Sequence, residues 1–340
     1  MKKRGKGIAC VIYGIGNTGM ANPSSAFVEI CVDGSAIVLC GAVDMGQGTS
    51  TALVQIAAHE LGLDAEDVVI RTGNSAVTPD AGLSTASRQI YISGNAVKRA
   101  AAAAKQVIME EAATVLNGTV DDLEARNGFV TDKKTGAQIS FGELVSKARA
   151  KGKLAVGAGS FNPASGALDE DGQGDAYATY HYCTQIAEVE VDTETGEVEV
   201  ISIVAAHDAG KAINPQAIEG QIEGGVAMGL GYGLMEEVVT DQGYLKTPSL
   251  AEYLIPTSLD LAATIRPLIV EVIEPTGPFG AKGMGEPPTC PTAAAIANAV
   301  YDAVGVWVSE LPLTSEKVYN ALEKAGKLEK TDPLGAPALA

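Results

Sequence analysis

The alternation of apolar and polar positions marks strands early in this chain. Val28 to Val32 and Ala36 to Val43 are β-rich runs joined through Asp33-Gly34, a pair that favours a tight hairpin. The second run passes into Met45-Gly46-Gln47-Gly48. Thr49 reads as the cap of a helix whose Leu53, Ile56, Ala57 and Leu61 share a face before Gly62 stops it. Val68 to Ile70 is a further strand. A loop rich in glycine, serine and threonine runs from Thr72 to Gln89. Val97, Ala101, Ala104, Ile108, Ala112 and Val115 then recur at spacings of four and three, predicting a long helix that ends at Asn117-Gly118.

Beyond a polar, glycine-rich stretch from Gly157 to Gly174, Glu188 to Val191 and Glu197 to Val200 alternate about a turn at Thr193 to Gly196, a second hairpin. Asn214-Pro215 opens a helix, with asparagine as cap and proline in the first turn. That helix carries Gly220, Gly224 and Gly225, which predicts a neighbouring helix or a cofactor close against its backbone. Leu250 to Thr264 is mixed, and Ile269 to Val272 is a strand. Helices over Pro291 to Val304 and Thr314 to Ala325 complete the pattern. The expected class is α+β, with mixed sheets and helices in two sub-domains, 1–165 and 166–328, and a frayed tail over 329–340.

Composition narrows the function. At 46% apolar and 19% charged, the 340 residues suffice for a sizeable core. A formal charge of −18 repels nucleic acid and anionic membranes, so neither is an expected partner. Without a spanning apolar run or a signal-peptide core, the expected location is the cytoplasm. The cysteines, Cys10, Cys31, Cys40, Cys183 and Cys290, form no CxxC pair and read as buried free thiols. His59, His181 and His207 show no metal-ligand spacing and read as structural.

The chemistry concentrates in Gly280-Ala281-Lys282-Gly283-Met284-Gly285-Glu286-Pro287-Pro288. Glycine and proline exclude helix and central strand here, and Pro287 pushes Glu286 out of the α region. The expected result is a rigid loop presenting one acid beside a helix N-terminus, suited to a general base in a dry setting. The same residues fit a surface turn with a solvated glutamate. Met45 to Thr49 joins a strand to a helix start, where N–H groups favour an anion. Ala86-Ser87-Arg88-Gln89 offers several donors for a phosphate or a nucleobase. An ordinary strand–helix turn and a helix-capping loop fit these two stretches as well.

The Glu286 stretch resembles the catalytic-glutamate loop of the molybdenum hydroxylases, the xanthine dehydrogenase and aldehyde oxidase family. Asp44 to Thr49, Thr85 to Gln89 with Gly94 to Val97, and Ile213-Asn214-Pro215 with Glu219 to Gly224 resemble further stretches of that family, in the same order. The resemblance implies a molybdopterin cofactor with molybdenum, in the cytosine dinucleotide form. It implies that Met45, Gly46, Gln47, Gly48, Ala86, Ser87, Arg88, Gln89, Gln221 and Gly285 contact the cofactor, with Glu286 as catalytic base. The metal is then held by the cofactor's dithiolene and takes no ligand from this chain.

The chain resembles only the second half of the family's molybdopterin-binding polypeptide, and is nearest to the medium subunit of the split nicotinate dehydrogenases. The resemblance therefore implies a larger molybdopterin subunit supplying the rest of the pocket. It also implies an iron–sulfur subunit, an FAD subunit and a small N-heterocyclic substrate. Nicotinate, hydroxylated to 6-hydroxynicotinate, is the substrate expected. A purine or aldehyde hydroxylase of the same family, or a structural subunit whose acid is silent, are the alternatives.

Overall fold

In the computed structural model, which describes residues 1–328, the chain opens with a strand that the alternation above does not mark, β1 (Lys2–Gly14). Strands β2 (Ser24–Ile30) and β3 (Ala36–Cys40) then form the expected hairpin, with Gly34 in the left-handed conformation. Helix α1 (Thr49–Leu61) and strand β4 (Val68–Arg71) follow, and β4 pairs in parallel with β3. One π-type turn, Gln89–Ser93, leads into the long helix α2 (Gly94–Val115). Strands β5 (Leu123–Arg126), β6 (Phe129–Asp132) and β7 (Gln138–Ser140) make a small sheet, capped by α3 (Phe141–Ala150). Strand β8 (Val156–Phe161) opens the glycine-rich stretch and pairs with β2.

The second hairpin is longer than the alternation suggests, β9 (Tyr180–Asp192) and β10 (Val198–Asp208). Helix α4 (Pro215–Leu234) is capped as expected, Asn214 Oδ1 accepting from the Ala217 N–H at 3.1 Å. Short strands β11 (Thr240–Asp241) and β12 (Tyr244–Leu245) precede β13 (Thr264–Val270), which pairs in parallel with β10. Helices α5 (Thr292–Val304) and α6 (Ser315–Lys324) complete the described residues. The expected tail over 329–340 lies outside them.

Two cores result. The first lies between the β4-β3-β2-β8 sheet and α1 and α2, with Val28, Val38, Leu53, Ile56, Ala100 and Ile108 fully buried. The second lies between the β1-β9-β10-β13 sheet and α4 and α5. Strand β1, from the start of the chain, belongs to the second sheet, so the two cores are not two contiguous stretches of sequence. The glycines of α4 divide by face. Gly225 and Gly229 lie so close to Pro288, Thr289 and Thr292 that a Cβ would fall within 2.4–2.7 Å of those residues. Gly220 and Gly224 face open space. The expected close neighbour is thus the stretch after Glu286 leading into α5. Among the described residues, no helix is long and apolar enough to cross a membrane.

Candidate active site

A cavity of about 620 Å³ lies where loops from both cores meet. Its walls are the loop before α1, the loop before the π-type turn, the first turns of α4 and the Glu286 loop. Met45, Gly46, Gln47, Gly48, Ser87, Arg88, Gln89, Gln221, Gly285 and Glu286 all line it; Ala86 does not. Ser84, Thr85, Lys211, Asn214, Met228 and Lys282 also line it; Thr85, Asn214 and Lys282 belong to stretches marked in the sequence, whereas Ser84, Lys211 and Met228 lie in none of its motifs.

Ser87 ties two walls together. Its Oγ accepts from the N–H groups of Gly285 at 2.9 Å and Glu286 at 3.2 Å, and donates to the Glu286 carboxylate. Ala86 and Ser87 both have left-handed φ, at 51° and 53°, a costly conformation for residues with a Cβ. Such strain persists where surroundings hold it. Here the Ala86 carbonyl accepts from the Gly16 N–H, and the Ser87 hydroxyl is fixed by the facing loop. On that loop, a Cβ on Gly283 would lie 1.6 Å from the Ser87 carbonyl oxygen, so only glycine allows the approach.

The structure corrects three sequence-based readings. The N–H groups around the α1 start are not an open anion site. Asp44 Oδ1 accepts from Gly46 at 2.9 Å and Gly48 at 3.3 Å, and Oδ2 from Ser50 at 2.9 Å. Burial pushes the Asp44 carboxyl up, but these N–H bonds outweigh it and hold the group below its ordinary value. Thr49 does not cap α1; its hydroxyl donates to Gln89 Oε1 at 2.7 Å, and Gly48 is the cap. The Arg88 guanidinium is buried and bonded by every N–H it has, to Asn22 Oδ1 and to the carbonyls of Ala81, Leu83, Asn22 and Pro23. It fastens its own loop and has no donor left for a phosphate.

Gln47 and Gln89 also hold the site together. Gln47 Nε2 donates to Gln89 Oε1 at 2.8 Å, and its Oε1 accepts from the Met45 N–H at 2.6 Å. Gln89 Nε2 donates to the Val43 carbonyl at 2.9 Å. The Gln221 side-chain amide lines the cavity and is hydrogen-bonded to no described residue. Glu286 is exposed at the cavity mouth, so the dry setting expected for it is not supplied by the described residues. Tyr13, at the end of β1, is a neighbour that no sequence motif announced. Burial, and then the charges of Glu286 and Cys290, push its phenol up to about 12, so it stays protonated at neutral pH.

Behind the Glu286 loop, His181, Cys183 and His207 cluster with their ligand-type atoms within 4.8 Å of one another. Sequence spacing missed the two histidines because they lie on the paired strands β9 and β10. His181 Nε2 and His207 Nδ1 are 3.0 Å apart. Burial lowers His181 to about 4, and burial with the His181 charge lowers His207 to about 3. All five cysteines are free, as expected, but Cys10 and Cys290 are exposed. Cys10 lies on the outer face of an edge strand, and Cys290 beside the cavity mouth, donating to the Glu286 carbonyl.

Comparison with known proteins accords with this arrangement. Residues 1–262 match the model of the molybdopterin cofactor-binding domain. A putative xanthine dehydrogenase molybdenum-binding subunit from Escherichia coli K12 is 33% identical over 338 residues, covering 95% of this chain and 43% of that protein. The nicotine 6-hydroxylase large subunit of Paenarthrobacter nicotinovorans is 33% identical over 305 residues, covering 87% of this chain and 36% of that protein. The crystal structure of quinoline 2-oxidoreductase from Pseudomonas putida 86 superposes with a TM-score of 0.84 at 31% identity, over 95% of this chain and 42% of that one. The chain thus spans less than half the length of these relatives. With its loop-built cavity and the glutamate that lines it, the chain belongs to the molybdopterin cofactor-binding domains of the xanthine dehydrogenase and aldehyde oxidase family.

Proposed function

We propose that this chain supplies one part of the active site of a molybdenum hydroxylase acting on an N-heteroaromatic carbon, with Glu286 as general base. The observation that carries the reading is the composition of the cavity wall. Glu286 is the one carboxylate among the described lining residues, and no cysteine or histidine lines the cavity. A cavity of about 620 Å³ is large enough for a cofactor-sized ligand. The free Gln221 amide, able to donate and accept, fits the edge of a pterin. Gln221, Gly285 and the Met45 to Gly48 loop would hold the cofactor. Ser87 and Gln89 would keep the walls in register, and Arg88 would act through its loop. The metal would be carried by the cofactor's own sulfurs.

When bound, the molybdenum cofactor supplies the two-electron oxidation. Glu286 takes the proton from the water-derived oxygen that attacks the substrate carbon. Ser87 holds the Glu286 backbone and carboxylate in one orientation. The exposure of Glu286 fits a larger partner polypeptide that closes the mouth, excludes water and carries the remaining substrate contacts. Iron–sulfur and FAD subunits would take the electrons onward. Relatives named for nicotine and quinoline favour a ring carbon next to nitrogen, and nicotinate to 6-hydroxynicotinate is the reaction we assign.

The test is untagged purification of the native assembly, with molybdenum, iron, flavin and pterin measured on one sample and turnover assayed on nicotinate, xanthine and an aldehyde. About one molybdenum per chain and preference for nicotinate are expected. A purine or aldehyde preference would move the assignment to another branch of the family. A folded assembly without molybdenum would overturn it. Gln221→Ala should lower molybdenum occupancy, and unchanged metal would remove Gln221 from the cofactor contacts.

A further inference from the structure

Proline lacks an N–H, so Pro287 and Pro288 can be tethered by hydrogen bonds only through their carbonyl oxygens. Both carbonyls meet donors from the second core. Gln185, fully buried on β9, donates Nε2–H to the Pro288 carbonyl at 2.7 Å. The Thr292 hydroxyl, fully buried at the start of α5, lies 3.2 Å from the same oxygen and 2.7 Å from Gln185 Oε1. Cys183 Sγ points to the Pro287 carbonyl at 3.9 Å, a weak contact.

The row continues beneath the loop. Gln185 Nε2 is 3.4 Å from His207 Nε2, and His207 Nδ1 is 3.0 Å from His181 Nε2. Gln185 can only donate from that nitrogen, which makes His207 Nε2 the acceptor and His207 Nδ1 the donor. His181 then carries its proton on Nδ1, the ring nitrogen with no hydrogen-bond partner. The Gly283 backbone is the neighbour of the His181 ring. One polar row thus runs under the loop from Gly283 to Pro288, with Glu286 between its ends.

We propose that Gln185, together with Thr292, is the positioning device that holds Glu286 at the cavity mouth by fixing the Pro288 carbonyl. The inference rests on the reading of Glu286 as base. Ser87 fixes Glu286 from the cofactor side, and Gln185 fixes its exit from the core side. Neither Gln185 nor Thr292 lines the cavity, so their effect reaches the chemistry only through the loop.

The experiment uses the cofactor-loaded assembly with Gln185→Met, Thr292→Val and Thr292→Ser. Amide exchange at Gly285 and Glu286 should rise about tenfold or more in Gln185→Met, as expected for loss of one buried hydrogen bond. It should rise less in Thr292→Val and stay at the wild-type level in Thr292→Ser, while exchange in α2 is unchanged throughout. The value of kcat should fall with KM nearly constant. Unchanged exchange at Gly285 and Glu286 in folded Gln185→Met would overturn the proposal. If Gln185→Met does not fold, the Thr292→Val and Thr292→Ser pair decides by the same readout. A wild-type rate in Glu286→Gln would refute the catalytic reading, while raised exchange in Gln185→Met would still support the tether.

Discussion

Replacing Ser87 by glycine separates the role of its hydroxyl from the strain of its backbone. The hydroxyl accepts two N–H bonds, from Gly285 and Glu286, and donates one to the Glu286 carboxylate. A neutral hydrogen bond contributes about 1 kcal/mol net, and one to a charged group about 1.5–3 kcal/mol. Water replaces part of this because Gly285 and Glu286 are exposed. About 2 kcal/mol of loop ordering is therefore lost, corresponding to about 30-fold in rate if all of it acts in the transition state. At φ 53° serine carries a left-handed penalty of about 1–2 kcal/mol, which glycine escapes. Ser87→Gly should therefore keep a thermal midpoint close to wild type while kcat falls about 30-fold at unchanged molybdenum content. Ser87→Ala keeps the strain and should lose stability as well as rate. A Ser87→Gly assembly with wild-type kcat would refute the role given to this hydroxyl.

Gly283→Ala places a methyl where the Ser87 carbonyl already sits, 1.6 Å away, so the two loops must part. Lower thermal stability and loss of cofactor are expected; full occupancy in the variant would contradict the close approach. Acid should weaken the second core. Burial lowers His181 to about 4 and His207 to about 3, while an unfolded chain binds the same protons near 6.5. Their contribution is complete above pH 6.5 and is lost as pH falls towards 4 and 3. At pH 5 the loss is about 2 kcal/mol per histidine. Urea midpoints at pH 7 and pH 5 should show the fall, with a smaller one in His181→Gln; equal falls would argue against the buried neutral pair.

Local periodicity revealed the hairpins and the long helices because each buries one regular face. Val28, Val38, Val189 and Val191 point into cores, and Leu53, Ile56 and Leu61 line one side of α1. Strand β1 escaped notice because its inward positions include Gly5 and Gly7. These lie against the α5 backbone, where a Cβ would be 2.2–2.3 Å from it, so no apolar alternation is visible. Its partner is β9, far along the sequence. The site was legible as loops but not as bonds. Glycine and proline marked the Glu286 stretch as a rigid turn, yet nothing local announced that Arg88 turns inward or that Asp44 occupies the α1 start. Both follow from which carbonyls and N–H groups the fold brings within reach, and those come from other segments. The pairing of His181 with His207 depends likewise on strand register.

The central claim is that Glu286 is the base of a molybdenum-cofactor site, and turnover per molybdenum atom in Glu286→Gln tests it most directly. The substitution keeps size and backbone contacts while removing the proton acceptor. The account predicts unchanged molybdenum content and a rate lower by about 10² to 10⁴. Wild-type turnover per molybdenum in the folded variant would contradict it.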